Sequence, residues 1–255
     1  LQLIEAFGGK APQYAHIPLI LNPDGSKMSK RDEGAAVGDY PRQGFLPSAV
    51  VNFIAMLGWS PKNDEEIFSL DELVSRFSLE QVNRAPARFD LEKCQWVNQQ
   101  HLMRLDAASF AREARPFVEQ AGLPIGDSFE SVMAAVKDKV RLLTEVPKAV
   151  EFLLRDDFSC DGEAMAKAGA NPAVRDVFGK LAELFELIDD WSADAAKAAL
   201  AEAAASVGAK VGQMMFPLRV ALTGRGQGPD MADVLNILGK QRCIARVDVF
   251  NQKLA

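Results

Sequence analysis

The sequence predicts a mainly α-helical chain with one short strand and a cationic loop near its start. Three observations predict it. From Asp106 onward, apolar residues recur at helical spacing almost without interruption, and no β-alternation of useful length appears. Before that, Pro47 followed by Ala49, Val50, Phe53, Ile54 and Leu57 at three- and four-residue steps marks an amphipathic helix. The apolar run Ile17-Pro18-Leu19-Ile20-Leu21 predicts a short buried strand, which ends at the turn residues Pro23, Asp24 and Gly25.

The other elements follow in order. Leu1 to Phe7 reads as a helix tail stopped by Gly8-Gly9. Ala35 to Arg42 is short and helical, and Gly58-Trp59-Ser60-Pro61 ends the helix that Pro47 opens. Ser69 with Glu72 three residues on has the form of a capping box. Arg84 to Asp90 contains Pro86 and is expected to be extended; Leu91 to Leu105 returns to helix. Beyond, helices are expected over 107–120, 128–154 with a kink or division at Pro147, 173–188, 193–207, 211–222, 231–238 and 242–250. Breaks fall at 122–124, 156–162, 169–172 and 223–229. A boundary is expected near Leu105.

Bulk properties exclude several classes. The 255 residues suffice for one large domain or two modest ones, and 48% apolar with 25% charged residues is ordinary globular composition. No apolar run approaches the ~20 residues a bilayer span needs. The three cysteines lie far apart and only two histidines exist, so no zinc is expected, and the scattered thiols fit a reducing cytoplasm. The net charge of −6 argues weakly against nucleic acid, although binding depends on local patches. The start at Leu1, within an apolar-periodic segment, reads as a chain cut from something longer.

The loop Asn22–Asp32 carries three cations, Lys27, Lys30 and Arg31, with the Ser29 hydroxyl among them and Gly34 expected to give slack on the far side. Ammonium groups on long stems suit a polyphosphate whose charge moves during reaction. A solvated Lys-rich surface explains the same five letters. Arg84, Arg88 and Lys93 beside Trp96 could contact a nucleic-acid backbone, or could be a solvated surface with one core tryptophan. Lys137, Lys139 and Arg141 are expected on a helix, with Lys137 and Arg141 sharing a face. Arg219 is expected on a packed helix, 224–229 in a turn, and Lys240, Arg242 and Arg246 at a basic end; a core helix with a cationic rim accounts for these without any function.

Lys27-Met28-Ser29-Lys30-Arg31 resembles the Lys-Met-Ser-Lys-Ser signature of class I aminoacyl-tRNA synthetases. With the flanks 16–22 and 44–52, it is similar to glutamyl-tRNA synthetases of the bacterial type. Ala85-Pro86-Ala87-Arg88-Phe89-Asp90 with Trp96-Val97-Asn98 resembles that family's stem-contact region, and Pro217 to Gly224 with Leu238-Gly239-Lys240 resembles its closing anticodon-domain helices. The resemblance implies the end of a catalytic domain over 1–43, a stem-contact region over 44–105 and an all-helical anticodon-binding domain over 106–255. It implies ATP with Mg²⁺ at the loop 27–31, with Lys27 and Lys30 as charge stabilisers. It also implies tRNA(Glu) contacts from Arg84, Arg88, Lys93, Lys139, Arg141, Arg219 and Lys240. Glutamate would bind mostly outside this portion. The expected whole is a cytoplasmic, monomeric glutamate–tRNA ligase, with this portion inactive alone. The rivals are a non-catalytic tRNA-binding module, the glutaminyl relative and a helical scaffold.

Overall fold

The computed structural model describes residues 1–32, 34–61 and 63–254, so Glu33, Lys62 and Ala255, one in each expected part, lie outside the described residues. The chain divides into two units, Leu1–His101 and Leu102–Ala255.

In the first unit, α1 (Gln2–Ala6) is closed by Gly8 at φ 69°, whose N–H donates to Glu5 O while Gly9 N–H donates to Ile4 O. The expected five-residue buried strand is shorter: β1 is Ile20–Leu21 and is half-buried, while Ile17 is 84% and Leu19 52% exposed. Pro18 has no N–H to extend a ladder, and the strand has one neighbour among the described residues, the parallel β2 (Ala87–Arg88). A 3₁₀ turn at Val37–Asp39 precedes α2 (Pro47–Met56), which has Pro47 in its first turn and buries Ala49, Val50 and Phe53. Ile54, expected inside, is 41% exposed.

The capping box is present at α3 (Leu70–Arg76): Glu72 N–H donates to Ser69 Oγ at 3.2 Å, and Ser69 N–H to Glu72 Oε2 at 2.8 Å. Trp59, Phe68 and Leu73 form a cluster with the first two rings edge to face. The last helix to begin here is α4 (Leu91–Arg104). Asn52 is fully buried and satisfied: its Oδ1 accepts from Phe68 N–H, its Nδ2 donates to Glu66 O, and His101 Nε2 lies 2.9 Å from Oδ1.

The second unit is helical: α5 (Ala107–Gln120), α6 (Phe129–Val136), α7 (Val146–Leu154), α8 (Gly162–Gly169), α9 (Ala173–Glu186), α10 (Ala193–Ser206), α11 (Val211–Thr223) and α12 (Met231–Lys253). Val174, Val177, Phe178, Leu181 and Phe185 bury one face of α9. Ala193, Ala196, Ala199, Ala203 and Ala204 of α10 sit inside with Leu200, so the small side chains let neighbouring helices approach closely.

Two expectations change here. The helix over 128–154 is divided well before Pro147: 3₁₀ turns at Lys137–Lys139 and Leu143–Glu145 flank an extended stretch, and Pro147 opens α7. Val140 and Leu143 are both buried, and Glu145 Oε2 takes the Arg141 and Leu142 N–H groups that a continuous helix would use internally. The basic residues there therefore share no helix face. The expected breaks at 156–162 and 169–172 left α8 unread; Asp161 opens it, accepting from Glu163 and Ala164 N–H. The expected helices 231–238 and 242–250 are both present, as the two limbs of α12 on either side of Gly239, where φ 70° and ψ 173° are not helical.

Candidate functional site

The loop after β1 is laced internally. Asp24 Oδ1 accepts from Ser26 N–H at 2.8 Å and Ser26 Oγ–H at 2.7 Å, and Gly25 turns the chain at φ 88°. Met28 N–H returns to Ile20 O, and Lys27 bridges Leu21. Asp32 then closes the far side. Its Oδ2 accepts from Asn22 Nδ2 at 2.8 Å and from Ser29 N–H at 2.7 Å, and its Oδ1 from Ser29 Oγ–H at 2.9 Å. The Ser29 N–H, then the Asn22 and Ser29 side chains, hold the Asp32 carboxyl below the usual carboxylate range; the Ser26 hydroxyl and N–H do the same for Asp24.

Gly34 gives no slack, contrary to expectation. At φ 82°, a Cβ on it would stand 2.4 Å from the Phe89 ring, and Tyr40 Oη–H donates to its carbonyl at 2.8 Å. Burial pushes the Tyr40 hydroxyl up to about 12. With both carboxylates occupied by the loop's own donors, Lys27, Lys30 and Arg31 are exposed and form no ion pair with a described residue. Met28 is half-buried between them. Asn22 and Asp32 were not singled out by sequence reasoning. The available signal was an Asn and an Asp bracketing a Ser within one turn-rich stretch, the residue types that bond nearby backbone.

The remaining predicted residues separate by what their charges do. Arg84 and Arg88 are exposed, and β2 brings Arg88 Nη2 within 3.8 Å of the point where a Cβ on Gly25 would stand. Lys93 is ion-paired with Glu66. Trp96 is 38% exposed; the core tryptophan is Trp59, at 2%. In the second unit, Lys139 and Arg141 are exposed, Lys139 against Asp138 at 2.7 Å, and Lys137 Nζ donates to Leu105 O.

Arg219 and Lys240 point inward. Arg219 Nη1 donates to Pro229 O at 2.7 Å, and burial lowers its pKa. Lys240 Nζ donates to Glu186 O and Ile188 O at 2.7 and 2.8 Å, closing the end of α9. The expected basic end is likewise internal: Arg246 is 7% exposed and donates to Leu222, Phe152 and Arg155 carbonyls and to Asp156. Burial works against the Asp156 carboxylate, but the Arg246 and Arg242 hydrogen bonds outweigh it and hold the group below its ordinary range.

Among the described residues, no group of three His, Cys, Asp or Glu side chains could hold a metal ion, and no helix is long and apolar enough to cross a membrane. The family model described as an anticodon binding domain matches residues 109–250, more than half of the chain. The chain belongs to the anticodon binding domain family.

The model of the catalytic domain of class I tRNA synthetases (E and Q) matches residues 1–96 of this family member, the stretch that holds the loop. The chain is 49% identical over 251 residues to a glutamate–tRNA ligase of Akkermansia muciniphila, covering 98% of this chain and 57% of that protein. It is 34% identical to that of Moorella thermoacetica, covering 96% and 51%. A crystal structure of a glutamate tRNA ligase from Elizabethkingia meningosepticum, in complex with its amino acid, superposes with a TM-score of 0.88 at 32% identity. That match covers all of this chain and 54% of the other. The chain spans about half the length of the curated relatives it matches.

Proposed function

We propose that this anticodon-binding-domain protein supplies part of a glutamate–tRNA ligase: the loop that meets the phosphates of ATP, and the contacts that hold tRNA(Glu). The observation that carries the reading is the Asp32 clamp, which takes the Ser29 and Asn22 donors and leaves Lys27, Lys30 and Arg31 exposed and unpaired with any described residue. Charges held in place before reaction stabilise charge that develops on transferring phosphates without reorganisation. Lys30 is the principal stabiliser in this reading. Mg²⁺ enters with ATP as substrate, and glutamate binds largely outside this chain. Arg84, Arg88, Lys139 and Arg141 are the exposed cations offered to the tRNA backbone and anticodon. The protein works as a cytoplasmic monomer in this proposal.

The test combines the chain with the part of the Akkermansia muciniphila ligase that it does not match. Pyrophosphate exchange is measured with glutamate, ATP and tRNA all present. Exchange in the mixture but in neither piece alone supports the reading. A stable mixed complex without exchange, with tRNA still bound, favours the rival non-catalytic tRNA-binding module.

A further inference from the structure

In the second unit, a half-open cavity of about 350 Å³ lies between α12, Met165 of α8, Val220 and Ala221 of α11, and the stretch 156–160. Gln241, Ala245 and Val249, spaced four apart, form one wall, with Val249 50% exposed; Phe158, Met165 and Phe250 complete an apolar lining. The volume lies within the ~300–1,000 Å³ typical of small-molecule sites. Its polar groups are unbalanced: Arg242, Arg246 and Lys253 face a single lining carboxylate, Asp156.

Arg246 is spent, its donors on three carbonyls and Asp156 and its guanidinium 4.6 Å above the Phe158 ring. Arg242 is partly so: its Nε donates to Asp156 Oδ1 at 3.0 Å and its Nη1 to Leu153 O at 2.9 Å, while its buried Nη2, 2.9 Å from Asp156 Oδ1, makes no hydrogen bond with a described residue. Lys253 and Gln241 are exposed at the rim and make no hydrogen bond or ion pair with a described residue.

We propose that this cavity binds an amphipathic monoanion, its apolar body against Phe158, Met165 and Val249 and its anionic head at Arg242 and Lys253. Burying an unbranched or aromatic body supplies the affinity, and the excess of lining cations over the one lining carboxylate, with Lys253 unpaired at the rim, favours a negative head. The site is separate from the phosphate loop and its occupancy does not depend on tRNA.

Cys160 gives a direct readout. It lines the cavity and is exposed, whereas Cys94 and Cys243 are buried, with thiols pushed up to about 12. Iodoacetamide therefore reads Cys160 alone in the folded chain. The probe is decanoate, kept below its micelle concentration. At about ten times its Kd, mass action slows Cys160 alkylation about tenfold. Ala245→Trp, which fills the cavity from an exposed helix position, should abolish protection while helical circular dichroism and Tm stay at wild-type values. Lys253→Ala should raise the half-protecting concentration several-fold. Decanol at the same concentration should protect little. Absent protection by decanoate, equal protection in the Ala245→Trp chain, or equal protection by decanol each overturns the proposal.

Discussion

Ser29 gives both its backbone N–H and its hydroxyl to one side chain, the carboxylate of Asp32, at 2.7 and 2.9 Å. The middle of the cationic loop is thereby fixed by a residue three positions on, while the lysine and arginine side chains on either side of Ser29 remain unpaired with described residues. A carboxylate that accepts several N–H and O–H donors is stabilised in its charged form, so the clamp is pH-dependent.

The sign of that dependence is set by the lowered pKa of Asp32. The clamp's contribution is fully present above the unfolded value of about 3.9 and is lost as pH falls through the still lower folded value. The Ser29 amide resonance, followed from pH 7 downward, should shift with a midpoint below that of a free aspartate. A midpoint at or above the free value would contradict the clamp. Asp32→Ala should raise Ser29 amide exchange at neutral pH and leave the second unit's exchange unchanged.

Lys30→Ala, in the reconstituted enzyme, should lower pyrophosphate exchange on the order of 10²–10³ with little change in tRNA affinity, as loss of one preorganised charge contact does. Lys27→Ala should cost less, because its backbone bridge to Leu21 survives the substitution. Wild-type exchange by the Lys30→Ala enzyme would leave the loop a solvated turn.

Gly34→Ala places a methyl group 2.4 Å from the Phe89 ring and imposes a left-handed φ on alanine. The backbone alone costs about 1–3 kcal/mol in such sites. Chemical denaturation should show at least that loss, and Phe89→Leu should recover part of it in the double variant. Additive losses would mean that the ring is not the obstacle.

Arg246→Met should destabilise the second unit by about 3–5 kcal/mol, the range for breaking a buried charged network. It removes the donors from the Leu222, Phe152 and Arg155 carbonyls at once. Asp156→Asn should cost much less, since that side chain is 65% exposed. Equal costs in urea melts would show that the ion pair, not the carbonyl caps, carries the stability.

The cations separate into two groups in a salt titration. Arg84→Ala with Arg88→Ala should flatten the slope of log affinity against log salt for tRNA(Glu) by about 0.7–0.9 per lost phosphate contact, without lowering Tm. Lys240→Ala should lower Tm instead, because Glu186 and Ile188 lose their donor. A flattened slope with unchanged Tm for Lys240→Ala would move that residue to the binding surface.

What the sequence determined by itself was local. Periodicity placed α5, α9, α10 and α11 to within a residue or two, and Ser69 with Glu72 wrote its own cap, because each signal acts within about one helical turn. The Lys27–Arg31 motif was legible for the same reason: its residues are neighbours in the chain. The fate of each other cation was not. Lys240 is fixed by carbonyls 52 and 54 residues away, and Arg246 by one 94 residues away. Glu145 ended a helix that apolar spacing alone continued, and the Phe89 ring turned Gly34 from a slack point into a tight one. A hydrophobic period records which face is buried, but a lysine or arginine reads the same in sequence whether its charge meets solvent or a distant helix end. Only the tertiary structure brings those carbonyls to it and decides which charges remain free.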